Sequence, residues 1–477
     1  MNAKRIVRWS IVLFLLLALP GLTAALAQGQ EPVKQLPVVT EIGESTTTIP
    51  WVNSEVNPNN SVAQVTWVTY IHDDFVWGGR IDPAGDVDYW AIRWDDEGRC
   101  DGYADCTYET SLPILIDIEA VSIGSPADTV ICLYSDDGYE LSCNDDTDTH
   151  DSMIFYNIEK NRTYYLKVRN FSNTGGSAYK YQVLISSPLI ISAAAGGLGT
   201  GNVAGIPFQS GDILAWSDFN YGSNQHEEKW VMLFDLSDLG VNGNVTNVAA
   251  GWRNSDYLIL GFAANATLPG ISGSVTPWEV VVFDPSRIGP VTEGTFQRWW
   301  DGKTQGLTAA AEKVDAIDWP IWDGAARLRV STTGTAKVTA NPSGTLRLAD
   351  EDVGLWSIAS GKWTLDFDGA DTSGYSWNLA GEDVIAMSFV KHNYSDEEYG
   401  DFDVLTYYLV LQGTATLDSS GTPLPTYVTQ KDIVQFEKMI GYNYQDIRIE
   451  WHGPDHGWNY NIDAFDYIPS QHWRNPW

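Results

Sequence analysis

This 477-residue chain is short of positive charge, cysteine, histidine and methionine, and each shortage narrows what it does. Lys and Arg number 28 against 62 Asp and Glu, a formal net charge of −34. A surface that negative repels phosphate backbones and anionic head groups, so nucleic acid is excluded as a partner and cations, calcium above all, are favoured. Seven His are scattered along the chain, and His226-Glu227-Glu228 lacks the second His of a zinc-protease helix. No G-x-S-x-G elbow, phosphate-binding loop or dinucleotide fingerprint occurs, which removes the common signatures of catalysis. Only Ser10 to Leu19 forms a notable apolar run, too short to span a bilayer. Against five Met stand 43 Gly, 21 Trp and 23 Tyr, a mix that suits strands and tight turns rather than helical bundles.

The apolar run follows Lys4, Arg5 and Arg8 and precedes Ala25-Leu26-Ala27, the pattern of a cleaved secretory leader over residues 1–27. The expected address is therefore extracellular, or periplasmic in a source with an outer membrane. Residues 28–50 have no periodicity and read as a linker. All four cysteines fall close together, at Cys100, Cys106, Cys132 and Cys143, and an even count in a secreted chain suggests disulfides. Three pairings are possible. The short loop RCDGYADCT favours Cys100–Cys106. The run ICLYSDDGYELSC reads as a hairpin centred on a two-residue Asp137-Gly138 turn, which sets Cys132 opposite Cys143.

Residues 51–187 hold short β-rich runs (VDYWAIRW, LPILIDIEA, TVICLYS, MIFYNI, TYYLKVRN, YKYQVLI) separated by Gly, Pro and Asp turns, the pattern of an antiparallel sandwich. Asp86 and Asp88 flank one residue at a strand start, so both side chains leave one face and reach toward one cation. Glu55 and Asn57 repeat that spacing. The Asn144–Asp148 run lacks the spacing of a helix-loop-helix calcium site and reads as a polar loop. The ordered elements SEVNPNNSVAQ, GGRIDPAGDVDYWAIR, SPADTVICLYSDDGYELSCNDD and NRTYYLKVRN resemble the bacterial pre-peptidase C-terminal (PPC) domain. That resemblance implies a small β-sandwich that accompanies secreted hydrolases and assists adhesion, substrate contact or secretion. It also implies calcium at the acidic opening and the GDVDY strand, with Glu55, Asn57, Asp86 and Asp88 as ligands.

Residues 188–477 repeat themselves four times. An acidic residue opens DILAW, EVVVF, DVGLW and DIVQF; a second strand runs into a Gly- or Asp-rich turn at 229, 296, 362 and 446; a third ends near Ala in TNVAAGW, EKVDAIDW, EDVIAMSF and NIDAFDYI. An apolar fourth strand occurs in three repeats (YLILGF, RLRVST, YYLVLQ). The missing one is expected in LIIS, before the first repeat, where it completes the last blade. The expected fold is all-β: a PPC-like sandwich followed by a four-bladed β-propeller closed by an N-terminal strand. Its outline is similar to hemopexin-type propellers, with a loose resemblance to repeats of secreted bacterial proteins of unassigned role.

Two His and an Asp in His452-Gly453-Pro454-Asp455-His456 suit a transition metal, but the segment sits at the turn that every repeat carries. Trp216, Trp230 and Trp363 occupy repeat positions and are expected in blade packing. Trp458, Tyr460, Trp473 and Trp477 do not, and stand as candidates for stacking on a ligand. The expected function is a secreted, non-catalytic binding or adhesion protein for a glycan or protein partner. A carbohydrate hydrolase using paired carboxylates in the propeller is the alternative, and a structural cell-surface component the third. Carboxylates about 5–10 Å apart in a cleft favour the hydrolase.

Overall fold

The computed structural model describes residues 59–467, apart from 66–67, 72–74, 95–105, 108–110, 146–150, 194–199, 221–225, 242, 251–256, 320–326, 371–378, 380, 397–399, 418–425 and 441–444. The leader 1–27, the linker 28–50, Glu55, Asn57, Cys100, Trp473 and Trp477 lie outside the described residues. Strands dominate, and no described helix is long and apolar enough to cross a membrane.

Six larger sheets carry the described chain. Sheet I orders Val68–Tyr70, Val87–Arg93, Thr163–Asn170, Thr129–Ser135 and Glu140–Asn144. Sheet II orders Phe75–Arg80, Lys180–Ser186, Ser111–Glu119 and Met153–Glu159. The two share one core: Trp90, Ile92, Ile131, Leu133, Leu166 and Val168 of sheet I pack with Trp77, Ile114, Ile116, Ile154, Val183 and Ile185 of sheet II. Apolar residues alternate along these strands because every second side chain faces the partner sheet.

The Cys132–Cys143 bond joins two strands of sheet I, with Cα atoms 4.1 Å apart. The turn that brings them together is not the expected two-residue one. Gly138 N–H donates to Ser135 O, Ser135 N–H donates to Tyr139 O, and Gly138 has φ 83°, so the loop has three central residues. That shifts the pairing by one, and a bulge between Leu133 and Tyr134 shifts it back. The cysteines face each other because the two offsets cancel.

Sheets III to VI follow one plan, listed from the first-named strand outward. Sheet III is Ile462–Asp466, Leu189–Ala193, Ile213–Asn220 and His226–Phe234. Sheet IV is Val245–Ala250, Leu258–Phe262, Glu279–Arg287 and Glu293–Asp301. Sheet V is Val314–Asp318, Arg327–Thr332, Val353–Ser357 and Lys362–Phe367. Sheet VI is Val384–Asp396, Gly400–Leu411, Asp432–Met439 and Gln445–His452, with Cys106–Thr107 added at its first edge. No sheet closes on itself. Leu189–Ala193 is hydrogen-bonded on one side to Ile213–Asn220 and on the other to Ile462–Asp466, some 270 residues away. The first-named strands of sheets III, IV, V and VI touch in that cyclic order.

The recurrent acids have a physical task. Asp212, Glu279, Asp352 and Asp432 each accept a backbone N–H from three residues earlier, at Gln209 (2.7 Å), Thr276 (2.8 Å), Ala349 (2.8 Å) and Thr429 (2.7 Å). The other oxygen reaches the neighbouring strand or its turn: Asp212 takes Leu236 N–H (3.0 Å), Asp352 takes Gly369 N–H (3.1 Å), Glu279 pairs with Arg298 and Asp432 with His452. Charge-assisted acceptance of otherwise unsatisfied N–H groups explains why an acid recurs there.

Candidate functional site

The sequence candidates disperse. Asp86 is buried, and its two oxygens accept the N–H groups of Asp82 and Val87, both at 3.0 Å, closing the turn before the strand. Asp88 is fully buried and accepts the Tyr181 hydroxyl at 2.6 Å. The same hydroxyl accepts Trp90 Nε1–H at 3.2 Å, and Trp90 stacks on Trp77 at 4.7 Å. The carboxylates of the two described acids take different partners, the turn backbone for Asp86 and the Tyr181 hydroxyl for Asp88. Among the described residues, the one group of three potential ligands within reach of an ion is Cys132, Glu140 and Cys143, whose sulfurs are bonded to each other.

Trp458 is not displayed to solvent. It is fully buried, stacked between Phe208 (5.3 Å) and Trp230 (5.4 Å). Tyr460 is half-buried; its hydroxyl accepts Asn202 N–H (2.9 Å) and donates to Asn202 O (3.1 Å). Both rings hold the ribbon Gly201–Val203/Ile206–Phe208 against sheet III, a ribbon the Gly-rich sequence there did not announce. Trp230 Nε1–H also donates to His456 O, and Trp363 Nε1–H to Gln305 O, each at 3.0 Å. Those carbonyls end the short 3₁₀ turns Gly453–His456 and Gly302–Gln305, so the two tryptophans pin equivalent turns of adjacent sheets. His452 and His456 take different partners, Asp432 and Glu228, and do not form one ligand pair.

Two constellations emerge instead. The first lies where sheets III to VI meet. Each first-named strand carries one bulged residue, at Thr246, Asp315, Ile385 and Asp463. Asp315 and Asp383 come close enough to interact electrostatically, and Asp463 adds charge to Asp315. Burial, then neighbouring carboxylates, push Asp315 and Asp383 well above the usual carboxylate range. Burial raises Asp463 to about 6, against a hydrogen bond from the Asn244 amide. Further along the same strands, Asp466 accepts Ala250 N–H (2.6 Å) and the Ser388 hydroxyl (2.9 Å). Asp318 accepts Phe389 N–H (3.2 Å) and Arg329 (3.2 Å), which also bonds Asp366 at 2.6 Å. These buried acids tie the first-named strand of sheet III to those of sheets IV and VI, and that of sheet V to sheet VI.

The second is a cleft of about 670 Å³ between sheet II and sheet III. Met153, Ile206, Trp230 and Met232 supply apolar wall, and Asp117, Glu119, Asp151 and Asp235 supply carboxylates. Lys229 crosses from sheet III to pair with both Asp117 and Glu119. Beside it, the Ser217 hydroxyl donates to Ser186 Oγ at 2.7 Å. Asp151 Oδ1 accepts Ala120 N–H (2.9 Å) and Val121 N–H (3.1 Å), which shapes the rim. Sequence reading missed this cleft because its two walls are over 100 residues apart; the only signal was a lone Lys at the start of KWVMLF. No family model matches the chain, and no curated protein matches it.

Proposed function

We propose a secreted binding or adhesion protein in which a PPC-like β-sandwich, sheets I and II, is joined to a four-bladed β-propeller, sheets III to VI. The propeller reading is supported by the four equivalent sheets, the cyclic order of their first strands and the closing position of Leu189–Ala193. The secretory leader supports the address. The observation that carries the function is the cleft: a cavity of about 670 Å³ with an apolar wall, a few converging charged groups and two separate parts of the chain as its sides.

A carboxylate hydrolase has less support. The acids that meet at the first-named strands do not line the cleft, whereas glycoside hydrolysis needs carboxyls roughly 5–10 Å apart around a bound sugar. The test is binding of the purified chain to a glycan array and to cell-surface extract, with calcium or EDTA. A Ser122→Trp variant, which fills the cleft from its exposed rim, serves as control. Specific binding lost in that variant supports the reading; binding that survives it removes the cleft from the function.

A further inference from the structure

We propose that sheet V carries a second docking site, apart from the cleft, for an extended acidic segment of a partner protein with two carboxylates two residues apart; the row Arg327, Ser357 and Lys362 receives it. The repeat is the first ground. In sheet III, Trp216 pairs with Trp230 and Ser217 with Lys229; in sheet V, Trp356 pairs with Trp363 and Ser357 with Lys362. Lys229 and Lys362 are therefore equivalent. Sheets IV and VI carry Thr295 and Asp446 at that register, so the fold itself does not require a lysine there. Lys229 shows what such a lysine accepts. Its partners Asp117 and Glu119 leave one face of the strand Ser111–Glu119, two residues apart. The sandwich supplies that strand to sheet III. Among the described residues, no carboxylate pairs with Lys362, whose ammonium donates to Pro342 O.

The second ground is the surroundings of Lys362. A pocket of about 130 Å³ opens there, lined by Arg327, Ser357, Lys362, Thr364, Asn341 and Leu355. Arg327 lies directly opposite Ser357, and Ser357 opposite Lys362, so three side chains stand in one row across adjacent strands. Pro342 O, in the turn between Ala336–Thr339 and Thr345–Leu348, takes one N–H of the Lys362 ammonium and leaves two. Arg327 has a contact of its own already, yet its planar fork carries five N–H donors. The Thr364 hydroxyl donates to Leu355 O at 3.5 Å. The described lining residues include no carboxylate and no aromatic ring. The first fact makes an anion the fitting ligand; the second leaves no stacking face for a sugar. In a chain of net charge −34 an acidic peptide is repelled overall, so its binding reports a local site.

The sandwich strand provides the probe. A fluorescently labelled peptide Leu-Ile-Asp-Ile-Glu-Ala, which copies residues 115–120, is titrated with the full chain at physiological salt and followed by anisotropy. The acidic peptide is expected to bind, and its Asn/Gln analogue to bind about tenfold more weakly, the worth of one charge-assisted hydrogen bond. Lys362→Met is expected to lose at least as much. Arg347→Ala, which removes an exposed charge of the same ribbon outside the pocket, leaves the affinity unchanged. Equal binding of the two peptides, or full affinity in Lys362→Met, overturns the inference. Preference for an oligogalacturonate over the acidic peptide overturns it as well, because the anion then belongs to a glycan. No binding of any of these probes does the same. If Lys362→Met does not fold, Ser357→Asp decides: it sets a carboxylate in the row, and undiminished binding there refutes the site.

Discussion

The five residues Leu189–Ala193 carry the sharpest stability prediction. Ile191 has no exposed surface and pairs with Leu214 on one side and Phe465 on the other. Ile191→Ala deletes three buried carbons from a strand with neighbours on both edges and costs about 2–4 kcal/mol. Ile191→Pro also removes a ladder N–H and adds a steric clash, a further ~3 kcal/mol. Against a typical domain stability of about 5–15 kcal/mol, the alanine variant stays folded while the proline variant sits near the edge. Amide hydrogen exchange reads the consequence locally. Protection is expected to fall together in Ile213–Asn220 and Ile462–Asp466, while Leu258–Phe262 in sheet IV keeps most of its own. The proposed closure requires this coupling across some 270 residues of sequence. Unchanged protection at Ile462–Asp466 in the alanine variant, despite a measured loss of stability, would falsify it.

Three further predictions follow from buried groups. Asp212 and Asp463 both rise to about 6 on folding, and Asp315 and Asp383 rise too, so the folded chain holds more protons than the unfolded one above pH 4. Their stabilising contribution is full below pH 4 and lost as pH climbs through the folded values; the melting temperature should fall between pH 5 and 8, and Asp315→Asn should flatten that slope. A melting temperature that rises over this interval, with no change in slope in Asp315→Asn, counts against the buried acids. Gly79→Ala places a Cβ 2.2 Å from Tyr181 Cζ, and Tyr181 is held by Asp88 and Trp90, so a loss of about 2–3 kcal/mol is expected in urea unfolding. Replacing both Cys132 and Cys143 by Ala opens a loop of sequence separation 11 and should cost about 3 kcal/mol by chain entropy, while a loss under about 1 kcal/mol means the hairpin is already ordered without the bond.

How much of this was legible depends on the range of the interaction. Strands and their order come from short periodic signals. DILAW, EVVVF, DVGLW and DIVQF were readable as equivalents because each needs an acid at one place to satisfy an N–H three residues back. The pairing of LIIS with NIDAFDYI was readable because three repeats have a strand that the fourth lacks. The Cys132–Cys143 pair was readable too, although the turn was not: a three-residue loop plus one bulge gives the same pairing as a two-residue loop. Side-chain destinations were another matter. Trp458 and Tyr460 break the repeat, which suggested display. Their reason is instead a ribbon between Gly201 and Phe208, where Gly201 leaves room for the Phe208 ring and no sequence period marks it.

Asp86 and Asp88 show what a spacing leaves open. Their spacing predicts a shared face, and a shared face predicts a shared ligand. The first residue lies just outside the strand, where its carboxylate folds back on the turn backbone; the second lies inside it, where Tyr181 meets it across the core. A spacing rule holds only within the element that generates it. Lys229 is the converse. Nothing in its local sequence marks it, yet it brings a cation to Asp117 and Glu119 from the opposite wall of the cleft. Burial makes that pairing costly to leave half-made, since removing one partner leaves the others desolvated without compensation. An overall charge of −34 therefore says little about function until the acids are divided by what they touch. Those at strand starts hold N–H groups, those where the four sheets meet shift one another's pKa, and Asp117 and Glu119 of the cleft share one lysine.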